Sequence, residues 1–154
     1  MLRVVTWNVN SISVRLERLL ALLNRWSPDV VMLQELKCVE DKFPYEAIES
    51  AGYHAIVLGQ KTYNGVAILS KIPLDRVSTG MGRFYEDEAA RVIQGQLGQT
   101  TLICCYVPNG QEVGSEKFAY KMKWLEGFKR LIQDSIEKDR SLIVAGDFNI
   151  APED

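Results

Sequence analysis

The chain holds one histidine in 154 residues, His54. That residue lies early in a middle strand, far in sequence from every strand-end motif, so it reads as structural or surface. Cysteine is scarce as well: Cys38, Cys104 and Cys105 are an odd number with no metal-ligand spacing, which excludes a disulfide scaffold and argues for a reducing compartment. Cys104 and Cys105 are consecutive in a strand, point to opposite faces, and read as small apolar fillers. An excess of positive charge is missing too. Eighteen Lys and Arg stand against twenty Asp and Glu, for a formal net charge of -2, so any phosphate-binding face must be local rather than global. No apolar run approaches the roughly 18 residues of a membrane span. The opening Met1 to Trp7 reads as a strand rather than a signal peptide, and a soluble, cytoplasmic protein without a membrane partner is expected. Repeats, low-complexity tracts and Gly/Ser linkers are absent, which leaves one structural unit as the simplest organisation.

What the chain does have is enough apolar residue, 47%, to fill a core. Leu2 to Trp7 forms a first strand, and Leu16, Leu19, Leu20, Leu23 and Trp26 recur at helical spacing over Val14 to Trp26, with Ser13 as N-cap. Ser27-Pro28-Asp29 ends that helix, and Val30 to Leu33 is a continuously apolar strand leading into Gln34-Glu35. The opening is therefore β-α-β. Pro44 to Ala51 reads as a short helix stopped by Gly52, followed by a strand from His54 to Leu58. Asn64-Gly65 turns the chain into Val66 to Leu69, and the runs Arg91 to Leu97 and Thr101 to Tyr106 flank the turn Gly98-Gln99-Thr100. These short connections predict antiparallel pairing in the middle of the chain. A long helix over Ser115 to Glu137 carries Phe118, Met122, Leu125, Phe128, Ile132 and Ile136 as its apolar stripe. Asp139-Arg140 then gives way to a last strand, Leu142 to Ala145. The expected fold class is α/β, a mixed sheet with helices on its outer side.

Four separate segments end a strand with a polar side chain: Asn8, Glu35, Tyr106, and Asp147 with Asn149. In layered α/β folds that edge is where ligands bind, because strand ends aim several side chains into one crevice. Each residue alone has an ordinary reading: Glu35 a surface acid, Asn8 a turn former, Tyr106 an interface aromatic, Asp147 and Asn149 a capping turn. Together they resemble a site. Their oxygen atoms suit Mg²⁺ or Mn²⁺, and the chemistry indicated is phosphodiester hydrolysis, in which the ion offsets charge on the phosphoryl oxygens while a protein base aligns water. Glu35 is then the main carboxylate on the ion, Asp147 orients the water, and Asn8, Asn149 and the Tyr106 phenol bond around the phosphate. Lys37, Lys61, Arg83, Lys117 and Lys123 are candidates for a basic rim, although most lysines of the long helix read as a solvated face. Arg91, directly after Asp87-Glu88, either braces those acids or binds phosphate. Lys121 follows the Pro108-Asn109-Gly110 loop and is placed to face the same crevice.

The segments Thr6-Trp7-Asn8-Val9-Asn10-Ser11-Ile12, Leu33-Gln34-Glu35-Leu36-Lys37, Tyr63 to Leu69, Glu88 to Val92, Tyr106 to Gly110 and Gly146 to Ile150 carry, in order, a close resemblance to the exonuclease III family of DNA-repair nucleases. That family includes apurinic/apyrimidinic endonucleases and belongs to the endonuclease/exonuclease/phosphatase superfamily. The resemblance implies that Glu35 binds the metal, that Asn8 lies beside it, that Tyr106 contacts the scissile phosphate, that Asp147 activates water and that Asn149 holds the phosphate. It implies DNA contacts from Arg91, and from Asn109 and Gln111 in the substrate loop, with a nearby catalytic or DNA-backbone-binding role for Lys121 in the stretch Glu116 to Lys121. The activity implied is Mg²⁺-dependent incision (Mn²⁺ as a substitute) of double-stranded DNA 5′ to abasic sites, with 3′-to-5′ exonuclease action and repair of damaged 3′ ends. Ser11-Ile12-Ser13-Val14-Arg15 departs from members that place another basic residue in that loop.

A larger departure concerns length. The resemblance implies a four-layer α/β/β/α sandwich of two similar halves, with residues 1–154 as the N-terminal half and the C-terminal half absent, including a later Asp/Asn segment and a terminal Asp-His pair that His54 does not match. The exact chain is thus expected to bare the inner face of its sheet, to need the missing half or a complementing chain, and to be inactive alone. Two other functions remain open: a phosphodiesterase of the same superfamily acting on RNA or a small phosphorylated substrate, and a noncatalytic DNA-binding or assembly fragment.

Overall fold

The computed structural model describes residues 1–138 and 141–150. Asp139-Arg140, expected to lead into the last strand, and the terminal Ala151 to Asp154 lie outside the described residues. Among the described residues, eight strands and three α-helices follow in the order β1 (Val4–Asn8), α1 (Ile12–Trp26), β2 (Val30–Gln34), α2 (Tyr45–Ser50), β3 (His54–Leu58), β4 (Val66–Ser70), β5 (Asp75–Thr79), β6 (Val92–Leu97), β7 (Thr100–Tyr106), α3 (Glu116–Lys138) and β8 (Ser141–Asp147). They build two sheets, β1-β2-β4-β3 and β5-β6-β7-β8. The β-α-β opening makes β1 parallel to β2, and α3 crosses over to make β7 parallel to β8. The remaining pairs are antiparallel; β3 with β4, β5 with β6 and β6 with β7 are consecutive strands joined without a crossover helix, whereas β2 meets β4 only after the chain has passed through α2 and β3.

Successive residues of β2 divide between two cores, because side chains alternate across a strand. Val31 and Leu33 join Ala67 and Leu69 against Leu19 and Leu23 of α1 and Ile48 of α2. Val30 and Met32 join Val66 and Ile68 against Ile93, Leu102 and Cys104 of the second sheet. On the far side, Val92, Ile103 and Cys105 meet Trp124, Phe128 and Leu131 of α3. Helix, sheet, sheet and helix therefore stack as four layers, the fold class read from the sequence. The bared inner sheet face is corrected: this chain contributes four strands to each of two sheets, and they cover one another. Six large aliphatic side chains between the sheets, at about 1.5–3 kcal/mol each, give a gross term comparable to the net stability of a small domain.

Other differences are local. Helix α1 starts at Ile12, not at Val14, because Ser11 turns the chain at φ 84° and the Ser11 and Ile12 amides donate to the carbonyls of Glu35 and Leu36. Ser13 is not the N-cap; its hydroxyl meets that of Ser11 at 3.0 Å. Trp26 is exposed, with the Arg25 guanidinium over its ring. In α3 the buried face is Trp124, Gly127, Phe128, Leu131 and Ser135, whereas Met122 and Ile136 of the expected stripe face solvent. The small Gly127 and Ser135 let the helix approach its neighbours, so a stripe drawn through large apolar residues alone is misphased. Strand β5 carries no signal in the sequence because it is an exposed edge with no buried alternation.

Candidate active site

Parallel strands point their carboxyl ends the same way, so β1 with β2 and β7 with β8 deliver Asn8, Glu35, Tyr106 and Asp147 to one end of the sandwich. The register sets Asn8 opposite Gln34 and Tyr106 opposite Asp147. The Asn8 amide nitrogen donates to Glu35 Oε1 at 2.9 Å and to Asp147 Oδ2 at 2.8 Å, joining the first sheet to the second. From the second sheet the Tyr106 hydroxyl donates to the same Glu35 Oε1 at 2.7 Å. Lys37 Nζ lies 3.4 Å from Glu35 Oε2 and donates to Asn10 Oδ1 at 2.6 Å, while the Asn10 amide donates to Asn8 Oδ1 at 3.0 Å.

Glu35 and Lys37 occupy the left-handed region, at φ 53° and 55°, which costs non-glycine residues free energy and persists only where surroundings dictate it. Here the ties come from both sides: Ser11 N to Glu35 O and Ile12 N to Leu36 O, and Leu36 N to Gly65 O and Lys37 N to Asn64 O. The Asn64-Gly65 turn thus buttresses the loop that presents the carboxylate. On the other sheet, Gly146 precedes Asp147 at a point where a Cβ would lie 1.9 Å from the Cys105 carbonyl oxygen, so only glycine fits. Beyond Asp147 the chain turns through Asn149 at φ 48°; the Asn149 amide donates to Asp147 Oδ1 at 3.0 Å, and its side chain donates to the Val107 carbonyl at 2.7 Å.

Burial pushes the Glu35 carboxyl upward, but hydrogen bonds from Asn8, Tyr106 and Lys37, with the Lys37 charge, outweigh it and leave the group below its usual range. Burial, followed by the hydrogen bond to Glu35 and its charge, pushes the Tyr106 phenol up to about 12. At neutral pH the pair is therefore a carboxylate receiving a neutral hydroxyl. Among the described residues no three His, Cys, Asp or Glu side chains converge as a preformed cage for a metal. Glu35 instead offers a carboxylate whose side chain is 21% exposed, with Asp147 linked to it through Asn8. Such an oxygen set fits a hard divalent cation that takes one or two protein carboxylates and completes its shell with water and substrate phosphate.

A cleft of about 670 Å³ opens beside Asn8, Asn109, Asp147 and Asn149, and a second hollow of about 360 Å³ is lined by Arg91, Tyr106, Asn109, Gln111, Lys117 and Tyr120. The two share Asn109. Arg91, Asn109 and Gln111 thus reach one hollow, and Gln111 N donates to Asn109 Oδ1 at 2.9 Å within its loop. The Arg91 guanidinium lies 4.9 Å from the Tyr106 ring centroid and 5.9 Å from that of Tyr120, and donates to the Tyr106 carbonyl at 3.1 Å. Asp87 receives the Tyr120 hydroxyl at 2.8 Å, Trp124 Nε1 at 3.0 Å and the Ala89 amide at 3.0 Å. Lys121 lines neither hollow directly, but its ammonium reaches the carbonyl of Asn149, a residue of the first cleft, at 2.7 Å. His54 is exposed at the start of β3.

Sequence reasoning missed the bracing of this site. Tyr120 and Trp124 carry no strand-end signal, because their hydrogen bonds to Asp87, and the approach of the Arg91 guanidinium to the Tyr120 ring, are made only when α3 folds over β6 and β7. Buried Gln34, whose amide donates to Thr6 Oγ1 and the Met32 carbonyl, had one available signal: a polar residue closing a continuously apolar strand.

The model of the endonuclease/exonuclease/phosphatase family matches residues 5–154. Exodeoxyribonuclease III of Haemophilus influenzae is 33% identical over 158 residues, covering 99% of this chain and 59% of that protein. A Neisseria structure described as the 3′ phosphatase NExo bound to product DNA hairpin superposes with a TM-score of 0.96 at 40% identity, covering 100% of this chain and 60% of the other. An AP endonuclease from Archaeoglobus fulgidus follows with a TM-score of 0.92 and 38% identity, over 99% of this chain and 59% of the other. The chain thus spans about three fifths of the length of these relatives.

Proposed function

The chain belongs to the endonuclease/exonuclease/phosphatase family, and from that premise we propose that the whole protein is a Mg²⁺-dependent DNA-repair phosphodiesterase. Its substrates are double-stranded DNA with abasic sites, incised on the 5′ side, and damaged 3′ ends, which it trims by 3′-to-5′ exonuclease and end-repair activity. The observation that carries the reading is the single Asn8 amide bonded to both Glu35 and Asp147, with the Tyr106 hydroxyl on Glu35. The relatives described as exodeoxyribonuclease III, a 3′ phosphatase on DNA and an AP endonuclease support the choice of DNA. Because the chain spans only part of their length, the activity is proposed for the whole protein, and the 154-residue chain alone is expected to be inactive until the remaining segment or a complementing chain completes the crevice.

Glu35, with Asn8 beside it, would hold the Mg²⁺, or Mn²⁺ in its place. When bound, that ion supplies charge to offset the developing negative charge on phosphoryl and leaving-group oxygens. Glu35 enters the reaction ionised. Tyr106, protonated at neutral pH, gives its one O–H to Glu35 and is a neutral neighbour of the phosphate rather than an anion that would repel it. Asp147 has one oxygen on Asn8 and the other on the Asn149 amide, which fixes its carboxylate plane for accepting a proton from the attacking water. Arg91, Asn109 and Gln111 line the adjoining hollow, where the DNA backbone runs past the site.

Turnover of abasic-site duplex, single-stranded RNA and a small phosphodiester by the full-length protein, with Mg²⁺ and with chelator, tests the proposal. Metal-dependent cleavage of the duplex in preference to the others is expected, and Glu35→Gln should lower kcat/KM about 100-fold or more. Preference for RNA or the small diester would replace the substrate class. Full turnover by Glu35→Gln would remove its metal role, and DNA binding without cleavage by any form would make the protein a noncatalytic binding module.

A further inference from the structure

The lysines of α3 are not alike. Lys117, Lys123 and Lys129 are exposed on the helix, the ordinary place for a lysine, whereas Lys121 is half-buried. Its stem runs beneath the substrate loop, where Gly110 makes room for it: a Cβ on Gly110 would lie 3.0 Å from Lys121 Cδ and 3.3 Å from Phe118 Cδ2. Its ammonium ends on the carbonyl of Asn149 at 2.7 Å, a short charge-assisted hydrogen bond. The receiving residue sits at φ 48°, a conformation that needs outside support in a non-glycine residue. Asn149 in turn gives its amide to Asp147 Oδ1 and its side chain to the Val107 carbonyl.

From these contacts we infer that Lys121 is a positioning residue for the Asp147-Asn149 turn and not a DNA contact. The inference rests on the proposed function for its catalytic consequence and replaces the DNA-binding role that the sequence resemblance assigns to Lys121. The ammonium holds the Asn149 carbonyl, which keeps the turn left-handed. That turn aims the Asn149 amide at Asp147 Oδ1, and Asp147 is left with its other oxygen on Asn8. Without the lysine the turn is free to relax, and the Asp147 carboxylate loses the donor that sets its plane. The loss falls on the chemical step, while the set of side chains that contact the DNA backbone stays the same.

A phosphate-binding lysine and a positioning lysine differ in what salt does. Each phosphate contact on duplex DNA adds about 0.9 to the slope of log affinity against log salt. In the full-length protein, Lys121→Met is expected to lower kcat roughly tenfold or more, as the loss of a hydrogen bond from a charged donor implies. KM and the salt slope of DNA binding stay at the parent values, and Lys121→Arg, whose donors reach the same carbonyl, recovers most of the rate. In metal-free protein, hydrogen exchange at the Asn149 amide should accelerate in Lys121→Met and return towards parent in Lys121→Arg. A salt slope smaller by about one with kcat unchanged would make Lys121 a backbone contact and overturn the inference. Unaltered Asn149 exchange would overturn it as well. A parent protein that leaves DNA uncut sinks the proposed function instead, and the amide exchange still decides the role of Lys121. Should Lys121→Met fail to fold, the rate and salt slope of Lys121→Gln are read in the same way.

Discussion

Replacing Tyr106 with Phe removes one oxygen and leaves the ring under Arg91, so its consequences trace to the 2.7 Å bond on Glu35. A hydrogen bond to a charged group contributes about 1.5–3 kcal/mol, so Glu35 should titrate higher without the phenol. The sign follows from the direction of the native shift. Glu35 is held below its ordinary 4.5, so its ionisation contributes stability that is present above 4.5 and lost as pH falls through the lowered value. In Tyr106→Phe that contribution shrinks, and the acid limb of the rate profile moves to higher pH because the carboxylate protonates sooner. The phenol works oppositely. Raised to about 12 from 10.0, it contributes stability that is complete below pH 10 and lost as pH rises towards 12, so the late component of an absorbance titration at tyrosinate wavelengths should shrink by one phenol in Tyr106→Phe, while Tyr120, also raised by burial and by Asp87, remains in it. Carbon NMR of labelled glutamate reads the Glu35 titration directly. An unchanged Glu35 midpoint in Tyr106→Phe would refute the claim that the phenol holds this carboxylate ionised.

Gly146→Ala forces a Cβ against the Cys105 carbonyl oxygen, a backbone atom of the neighbouring strand, and should destabilise the fold by about 3 kcal/mol or more, read from the urea midpoint. A loss under about 0.5 kcal/mol would mean that the two strands part more easily than their pairing implies. Burial pushes the Cys104 thiol up to about 12 and raises Cys105 further, and Cys38 is also raised by its half-buried setting. A thiol reagent at neutral pH should therefore modify Cys38 slowly and leave Cys104 and Cys105 intact until denaturant is added. Rapid modification of a second thiol in native buffer would place a β7 cysteine outside the core.

Much of this architecture is legible because its signals are local. The apolar run Val30 to Leu33, the Asn64-Gly65 turn and the helical spacing around Leu19 and Leu23 each depend on a few adjacent residues, and all three lie where the pattern puts them. Convergence of Asn8, Glu35, Tyr106 and Asp147 is readable for a related reason: a polar residue directly after a buried strand has one place to go, and parallel strands send it to the same end. What escapes depends on contacts between distant segments. The phase of α3 is set by Gly127 closing on Tyr85 and by Trp124 reaching Asp87, neither of which leaves a periodic trace. The division into two sheets is invisible because an exposed β5 begins the second sheet, and nothing in Asp75–Thr79 alternates. Lys121 stands apart from the other helix lysines already in the sequence, because the loop before its helix follows Tyr106, but its partner, the Asn149 carbonyl, is set by tertiary structure alone.

Two sheets, rather than one, hold the site. Asn8 and Glu35 come from the first sheet, Tyr106 and Asp147 from the second, and the bonds joining these pairs cross from one sheet to the other. Their geometry is therefore set by the layer of Met32, Ile68, Ile93 and Leu102 beneath them, which fixes how far apart the strand ends stand. Interiors packed as densely as crystals transmit small displacements rather than absorbing them. A slip of a few tenths of an ångström between the sheets would lengthen the Asn8 and Tyr106 bonds together, since both span the same gap. Precision at the carboxylate is thus a property of the apolar interior, and the polar residues at the strand ends only express it.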